Sequence, residues 1–179
     1  METMNWQLRD YGSMNDTAQS IYGTETYEKG FNWLYETCQD IEDWGCGMAW
    51  GKRYVPEGKG YKGIDGSPSA VRFADVIGDL RFYTSDVDGI FMRHILEHNP
   101  NWDMILGNMM GSFRKRLVLI FFTPFSSYTH PLVASGLYDF SFRKEDITDF
   151  FHGFTWHEEN LQTDTQYQHE HIFYVERCA

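Results

Sequence analysis

Apolar positions along the chain come in short runs separated by Gly, Pro, Asp and Asn clusters, and their period switches repeatedly between helical and extended spacing. Between Tyr22 and Cys38, the residues Tyr27, Phe31, Trp33, Leu34 and Tyr35 recur at roughly helical intervals, which predicts a helix interrupted or restarted near Gly30. Asp40 to Trp44 reads as a strand entering Gly45-Cys46-Gly47, with helix expected from about Met48 to Tyr54, ahead of Val55-Pro56-Glu57-Gly58. Gly60 to Asp65 is a second strand, closed by Gly66-Ser67-Pro68. Ser67 can cap a helix that carries Pro68 at its first position and runs to about Phe73. Short strands follow around Ala74–Ile77 and over Asp88–Arg93, then a helix over Asn101–Phe113 with Trp102, Ile105, Leu106 and Met109 inward.

Arg116 to Thr123 is the clearest strand, a continuous apolar run suited to the centre of a sheet covered on both faces. A further helix begins over Phe142–Ile147, and strands follow at about Thr155–Asn160 and Ile172–Glu176, with Trp156 and Phe173 expected in the sheet core. Strands alternating with helices imply an α/β fold with a largely parallel sheet. No repeat, low-complexity tract or linker divides the chain, so 1–179 reads as one domain. Residues 1–20 form a polar, loosely packed segment, and 22–38 a helical cover.

Composition narrows the function. The 179 residues allow one sizeable core, and 42% apolar with 17% aromatic content excludes disorder over most of the length. A formal net charge of −11 argues against a nucleic-acid partner, which needs a basic face. Lys52-Arg53 and Arg114-Lys115-Arg116 are the dense basic clusters, expected at helix ends or turns. Cys38, Cys46 and Cys178 cannot all pair and show no C-x-x-C spacing, which favours a reducing compartment. Met1 to Trp6 has neither a basic nor an apolar leader pattern, and Leu117–Phe122 is too short to span a bilayer. The expectation is a cytoplasmic protein without membrane association, its oligomeric state (monomer or homodimer) open.

The chemistry concentrates in Asp43-Trp44-Gly45-Cys46-Gly47 and, some twenty residues on, Ile64-Asp65. Glycines at a strand-to-helix turn let backbone amides approach a ligand, and an acid ending the next strand can accept hydrogen bonds from ribose hydroxyls. A dinucleotide fingerprint wants a third glycine, but Trp50 stands there and Gly51 falls one residue late. The segment instead resembles the class I S-adenosylmethionine-dependent methyltransferases. Their first motif, an acid, any residue, then Gly-Cys-Gly, is matched by Asp43 to Gly47, and their second by Tyr61-Lys62-Gly63-Ile64-Asp65-Gly66-Ser67. Phe73-Ala74-Asp75-Val76 resembles the third strand with its adenine-contacting acid, Asp79 being a nearby competitor, and Asp88 to His98 the fourth strand with its Leu-Glu-His exit.

That resemblance, spanning about residues 40–178, implies a Rossmann-like fold: a mostly parallel seven-stranded sheet with a reversed C-terminal hairpin and helices on both faces. It implies S-adenosyl-L-methionine as cofactor, held by Asp43, Gly45, Cys46, Gly47, Asp65, Gly66, Ser67, Asp75, Val76 and Arg93. His94 and His98 are then the candidate general bases at the substrate edge. Glu97 reads better as structural. The Asn-Pro-Pro-aromatic motif of base and glutamine amino methylation is absent, His94-Ile95-Leu96-Glu97 standing in its place.

The expected reaction is methyl transfer to oxygen or nitrogen of a small molecule or a sugar or glycan acceptor, with no metal required. Phe125, Tyr128 and His130 are candidates for a substrate mouth, or for an exposed loop. Tyr22, Tyr27 and Trp33 are candidates for a lid or for core. Two other readings stand beside this one. One is a catalytically silent binding protein on the same fold. The other is a zinc hydrolase, because His94-x-x-Glu97-His98 would place both imidazoles on one face of a helix.

Overall fold

The computed structural model describes residues 25–134 and 137–178; the polar segment 1–20 and Tyr22 lie outside them. In chain order the elements are α1 (Glu25–Tyr35), β1 (Asp40–Trp44), β2 (Gly60–Asp65), β3 (Val76–Ile77), β4 (Val87–Arg93) and α2 (Trp102–Ser112). They continue as β5 (Phe113–Phe121), β6 (His130–Ala134), β7 (Leu137–Ser141), α3 (Lys144–Thr148), β8 (Phe154–Gln162) and β9 (His169–Arg177). Seven strands form one sheet in the order β3-β2-β1-β4-β5-β9-β8, while β6 and β7 pair separately. The first five are parallel, and β9 runs antiparallel between β5 and β8. Strand order reverses between β1 and β4, so the crevice above their carboxyl ends is where an open α/β sheet takes its ligand.

Successive residues of β4 (Ile90, Phe91 and Met92) are all buried, as are Leu117 to Phe121 of β5. Since neighbours on a strand point to opposite faces, both strands are covered on both sides. Trp44, Ile64, Ile90, Met92, Leu119, Phe121 and Phe173 pack with Leu106 and Met109 of α2. On the other face Ile41, Phe91, Val118, Ile120 and Ile172 pack with Phe31 and Leu34 of α1.

Several expectations are corrected. Gly30 does not interrupt α1: a Cβ there would lie 2.6 Å from Phe91 Cε2 and 3.1 Å from Val118 Cγ1, so glycine lets the helix settle onto the sheet. The helix expected over Met48–Tyr54 shrinks to a 3₁₀ turn, Trp50–Tyr54. Trp156 is not sheet core; it is 38% exposed on the edge strand β8. Arg114, Lys115 and Arg116 sit within β5 rather than at a helix end or turn. Arg114 (2.7 Å) and Lys115 (2.9 Å) clasp the two oxygens of buried Asp88, which also accepts the Gln39 amide. Burial alone would raise the Asp88 carboxyl, but these donors outweigh it and hold the acid well below its usual range.

The β6–β7 hairpin has no counterpart in the sequence reading, although Ser135-Gly136 between two apolar runs is a turn signal. Among the described residues no helix is long and apolar enough to cross a membrane.

The same substitution should act oppositely in the two long helices. Gly30→Ala drives a methyl into a closed core and should cost about 1–3 kcal/mol, more than alanine's helix propensity returns. Gly111→Ala in α2, where a Cβ meets nothing within 4 Å, should stabilise by about 0.5 kcal/mol. Urea unfolding of both variants checks the pair; equal shifts would contradict the close contact of α1 with the sheet.

Candidate functional site

Beyond β1 the chain reverses through three left-handed residues, Gly45 (φ 83°), Gly47 (φ 53°) and Ala49 (φ 54°). Gly45 and Cys46 both donate their amides to the Ile64 carbonyl, at 2.8 and 3.1 Å. Asp65 completes the junction. One carboxylate oxygen accepts the Gly47 amide at 2.8 Å and the other the Ser67 amide at 2.7 Å. The acid ending β2 therefore ties the glycine turn to the next loop, with Gly66 between. Ser67 Oγ accepts the Ser69 amide and caps the short Pro68–Arg72 turn as expected.

Two of the nearby glycines, Gly45 and Gly51, have a visible cause. A Cβ on Gly45 would fall 2.1 Å from Ile95 Cδ1, so the first glycine makes room for a side chain from the β4 exit. A Cβ on Gly51 would lie 2.6 Å from Phe31 Cζ and 2.7 Å from Asp43 Oδ2. The glycine one residue late in the motif thus provides the close approach to β1. Cys46 packs its sulfur against Gly63, and burial pushes its thiol far up, away from nucleophilic use.

Asp43 is buried and accepts the Tyr61 hydroxyl at 2.7 Å. Burial, with Asp65 adding and Tyr61 and Arg93 opposing, pushes its carboxyl up to about 7. Among the described residues no cation bonds it. Asp75 precedes β3, where it accepts the Gly63 amide at 2.8 Å and faces Lys52; it braces the β2–β3 pair below the carboxyl edge. Val76 pairs with Ile64. Asp79 lies beyond β3, joined to the end of β2 by the Gly78 amide on the Asp65 carbonyl, and holds Arg81 with both oxygens at 3.0 Å from Nε.

A second cluster forms where β4 ends. Glu170 of β9 is fully buried, and one of its oxygens receives Arg93 Nε (3.0 Å), Arg93 Nη2 (2.9 Å), His94 Nε2 (2.6 Å) and Thr26 Oγ1 (3.3 Å). Arg93 also lies 4.7 Å over the Tyr27 ring. His94 takes a left-handed backbone (φ 57°). Burial, reinforced by Arg93 against the pull of Glu170, pushes its imidazole down to about 3. His94 is therefore neutral and donates Nε2–H to Glu170.

His98 makes a separate pair, Nδ1 to Asp139 Oδ1 at 2.8 Å, with Asp139 carried in by β7. Phe122 stands between the pairs, 4.7 Å from the His94 ring and 5.6 Å from that of His98, with Tyr167 stacked at 5.9 Å. Glu97 is wholly buried; one oxygen accepts the Phe122 amide and the other has no partner among the described residues. Burial raises its carboxyl well above the usual range, so it is held as the neutral acid. The Thr123 hydroxyl is likewise buried and without a partner among the described residues.

The geometry is not that of the zinc motif. Leu96–His98 is a single 3₁₀ turn, His94 is left-handed, and the two rings bond different carboxylates. Among the described residues no group of three or more His, Cys, Asp or Glu is arranged to hold a metal. Of the supposed mouth residues, Phe125 packs against Phe121 and His171, while Tyr128 is exposed and its carbonyl meets His130 Nδ1 at 2.9 Å. Tyr27 is core, and Trp33 packs edge-on against Tyr174. Sequence reasoning missed Tyr61, Asp139 and Glu170. Tyr61 was legible as the same-face neighbour of Gly63 on β2; the other two lie 41 and 76 residues from their histidines and leave no local signal.

No protein-family model and no curated protein sequence matches the chain. Solved structures do. The chain is similar to magnesium protoporphyrin IX methyltransferase from Synechocystis, solved with bound S-adenosylhomocysteine (TM-score 0.66, 17% identity, 87% of this chain and 83% of that one). It is similar also to 1,6-didemethyltoxoflavin-N1-methyltransferase from Burkholderia thailandensis, solved with 1,6-didemethyltoxoflavin and S-adenosylhomocysteine (TM-score 0.64, 13% identity, 86% and 79%). A third likeness is to an S-adenosylmethionine-dependent methyltransferase from Clostridium acetobutylicum (TM-score 0.58, 10% identity, 86% and 92%). Strand order, the reversed final pair and these likenesses together give the chain the Rossmann-like fold of the class I methyltransferases.

Proposed function

We propose that the protein is an S-adenosylmethionine-dependent methyltransferase acting on oxygen or nitrogen of a small molecule or sugar-type acceptor. The observation that carries this reading is the pair of buried acids Asp43 and Asp65, joined across one glycine turn at the reversal point of the sheet. The donor set fits the cofactor. Asp65 would accept the ribose hydroxyls on lone pairs beyond those its two amide donors use. Asp43, a buried acid lacking a cation, suits the ammonium group. Of the two acids flanking β3, Asp79 stands on the same edge as Asp65, which favours it over Asp75 for the adenine. The cofactor's contribution when bound is an electrophilic methyl group on a sulfonium.

The chain's own part is alignment: methyl transfer is an in-line displacement, and strand ends fixed by backbone bonds provide a rigid frame for it. Arg93, tied to Glu170 and Tyr27, supports the β4 exit from beneath. Two of the three cysteines are buried and all are free, which suits a cytoplasmic protein. The silent-binder reading keeps one point in its favour, because Ile95 covers Gly45 and limits backbone approach there. Labelled-methyl turnover with a panel of hydroxyl and ring-nitrogen acceptors, beside binding of S-adenosylhomocysteine, separates enzyme from silent binder.

Calorimetry with S-adenosylhomocysteine tests the cofactor site directly. Asp65→Ala should weaken binding by about 1.5–3 kcal/mol, the range for hydrogen bonds to a charged group. Unchanged affinity in a folded variant would remove Asp65 from the site.

Binding should also release a proton. The raised Asp43 carboxyl keeps its proton below about pH 7, whereas an ammonium beside it favours the ionised form. Affinity should therefore rise with pH up to about 7, by as much as about tenfold per unit below it, and level off above. Titrations at several pH values in buffers of different ionisation enthalpy should show this for the wild type and lose it in Asp43→Asn.

A further inference from the structure

The loop that leaves β5 is fastened to the reversed final hairpin through one buried imidazole. His171 of β9 stands opposite Phe121 of β5 and Asn160 of β8, and it is 8% exposed. Phe125, shortly beyond the end of β5, has its ring 4.3 Å from that of His171, and Phe121 lies at 5.3 Å. Phe125 also packs on Phe121 and Phe173. The imidazole is therefore part of an otherwise apolar seat for the Phe125 ring.

His171 Nδ1 lies 2.9 Å from Glu158 Oε1. Lys144, the first residue of α3, takes the other Glu158 oxygen and stands 5.6 Å over the Phe125 ring. Burial alone would raise the Glu158 carboxyl, but Lys144 and His171 outweigh it and hold the acid below its usual range. An ionised carboxylate only accepts, so the neutral ring carries its proton on Nδ1 and a lone pair on Nε2. Nε2 is buried and has no partner among the described residues. The charged and titratable groups packed around the ring are Glu158 from β8, Lys144 from α3 and His169 from β9, the last 4.9 Å away ring to ring. From β5 and its loop come Phe121 and Phe125. A proton on Nε2 would become a buried N–H without an acceptor, and Lys144 already answers the Glu158 charge. Burial accordingly pushes the imidazole below its ordinary range, with Glu158 opposing and His169 and Lys144 reinforcing.

We propose that His171 is a pH-sensitive fastener: neutral, it seats Phe125 and holds the loop after β5 against the hairpin; protonated, it unseats Phe125 and releases that loop. The inference is independent of the methyltransferase reading. The seated ring binds a second proton less readily than the released ring, whose ordinary value is 6.5. Fastening is therefore complete above about pH 6.5 and is lost progressively below it, until the seated ring itself titrates. Glu158 is held in its ionised form, so its own contribution fades only as pH falls through its ordinary 4.5 and below. The loop is thus closed at neutral pH and loosened by mild acid before the Lys144–Glu158 pair is touched.

The test follows amide hydrogen exchange of the full wild-type chain from neutral to mildly acid pH, each rate corrected for the intrinsic pH dependence of exchange. The Ser126 amide, bonded to the Phe142 carbonyl at 2.9 Å, reports on the loop, and the Leu119 amide on the sheet centre. Ser126 protection should fall by up to about tenfold per pH unit below about 6.5. It should stay below that of Leu119 throughout, so that the loop opens without the sheet. His171→Phe keeps an aromatic ring in the seat and cannot titrate, so the Ser126 slope should disappear. Ring titration of His171 in the wild type, by NMR, needs no variant. It should show Nδ1 protonated in the neutral form, a pKa below the ordinary 6.5, and a levelling of Ser126 protection at that same pKa. A wild-type His171 pKa at or above 6.5, flat Ser126 protection, or a slope that survives in His171→Phe overturns the inference. Should His171→Phe not fold, the two wild-type measurements decide: levelling at any other pH overturns it. No ligand enters the experiment, so either outcome leaves the methyltransferase reading where it stands.

Discussion

The carboxylate of Asp65 is the constraint on which the carboxyl edge depends. Parallel strands have no covalent turn between them, so the loops leaving β1 and β2 are set by whatever joins them above the sheet. Here one buried acid takes the Gly47 amide on one oxygen and the Ser67 amide on the other. Charge-assisted bonds to backbone are among the strongest polar contacts available, and a buried acid left without them would be costly. The positive φ angles of Gly45, Gly47 and Ala49 follow from this closure, since the turn must bring an amide back over the end of β2. The loop geometry therefore rests on the same two oxygens that we propose hold the ribose.

A second layer of order comes from side-chain size. Gly30, Gly45 and Gly51 each admit a specific neighbour (Phe91, Ile95 and Phe31), and together they draw α1, the 3₁₀ turn and the β4 exit close to the glycine turn. The Ile95 contact links the two halves of the crevice, because the residue that covers Gly45 directly follows His94. A change in the glycine turn is transmitted to the Phe122 cluster by packing alone.

Much of this was legible in the chain. Asp40–Trp44 and Gly60–Asp65 match their strands residue for residue, each running directly into a glycine turn (Gly45 and Gly66) that marks its end. The helix over Met48–Tyr54 was not realised: Ala49 is left-handed and Gly51 must press on Asp43, geometry that a local pattern cannot reveal. Arg114–Arg116 were misjudged because basic residues within a strand are unexpected until their partners Asp88, Glu36 and Glu176 are known. At the site, the acids and glycines were visible through their spacing. Asp139 and Glu170 were not, since the histidines they serve are remote in sequence and nothing in a hairpin or an edge-pairing strand marks a residue as a future partner.

The Glu170 hub sets an order on assembly. Its bonds reach back 77 residues to Arg93 and 144 residues to Thr26, so they cannot form until β9 has threaded antiparallel between β5 and β8. Until then the Arg93 guanidinium lacks the Glu170 carboxylate that it holds in the finished fold. Contacts this remote in sequence close late and slowly. Maturation of the crevice is thus timed by the arrival of one glutamate, and a chain arrested before that strand docks would hold a nearly complete parallel sheet with an unfinished mouth.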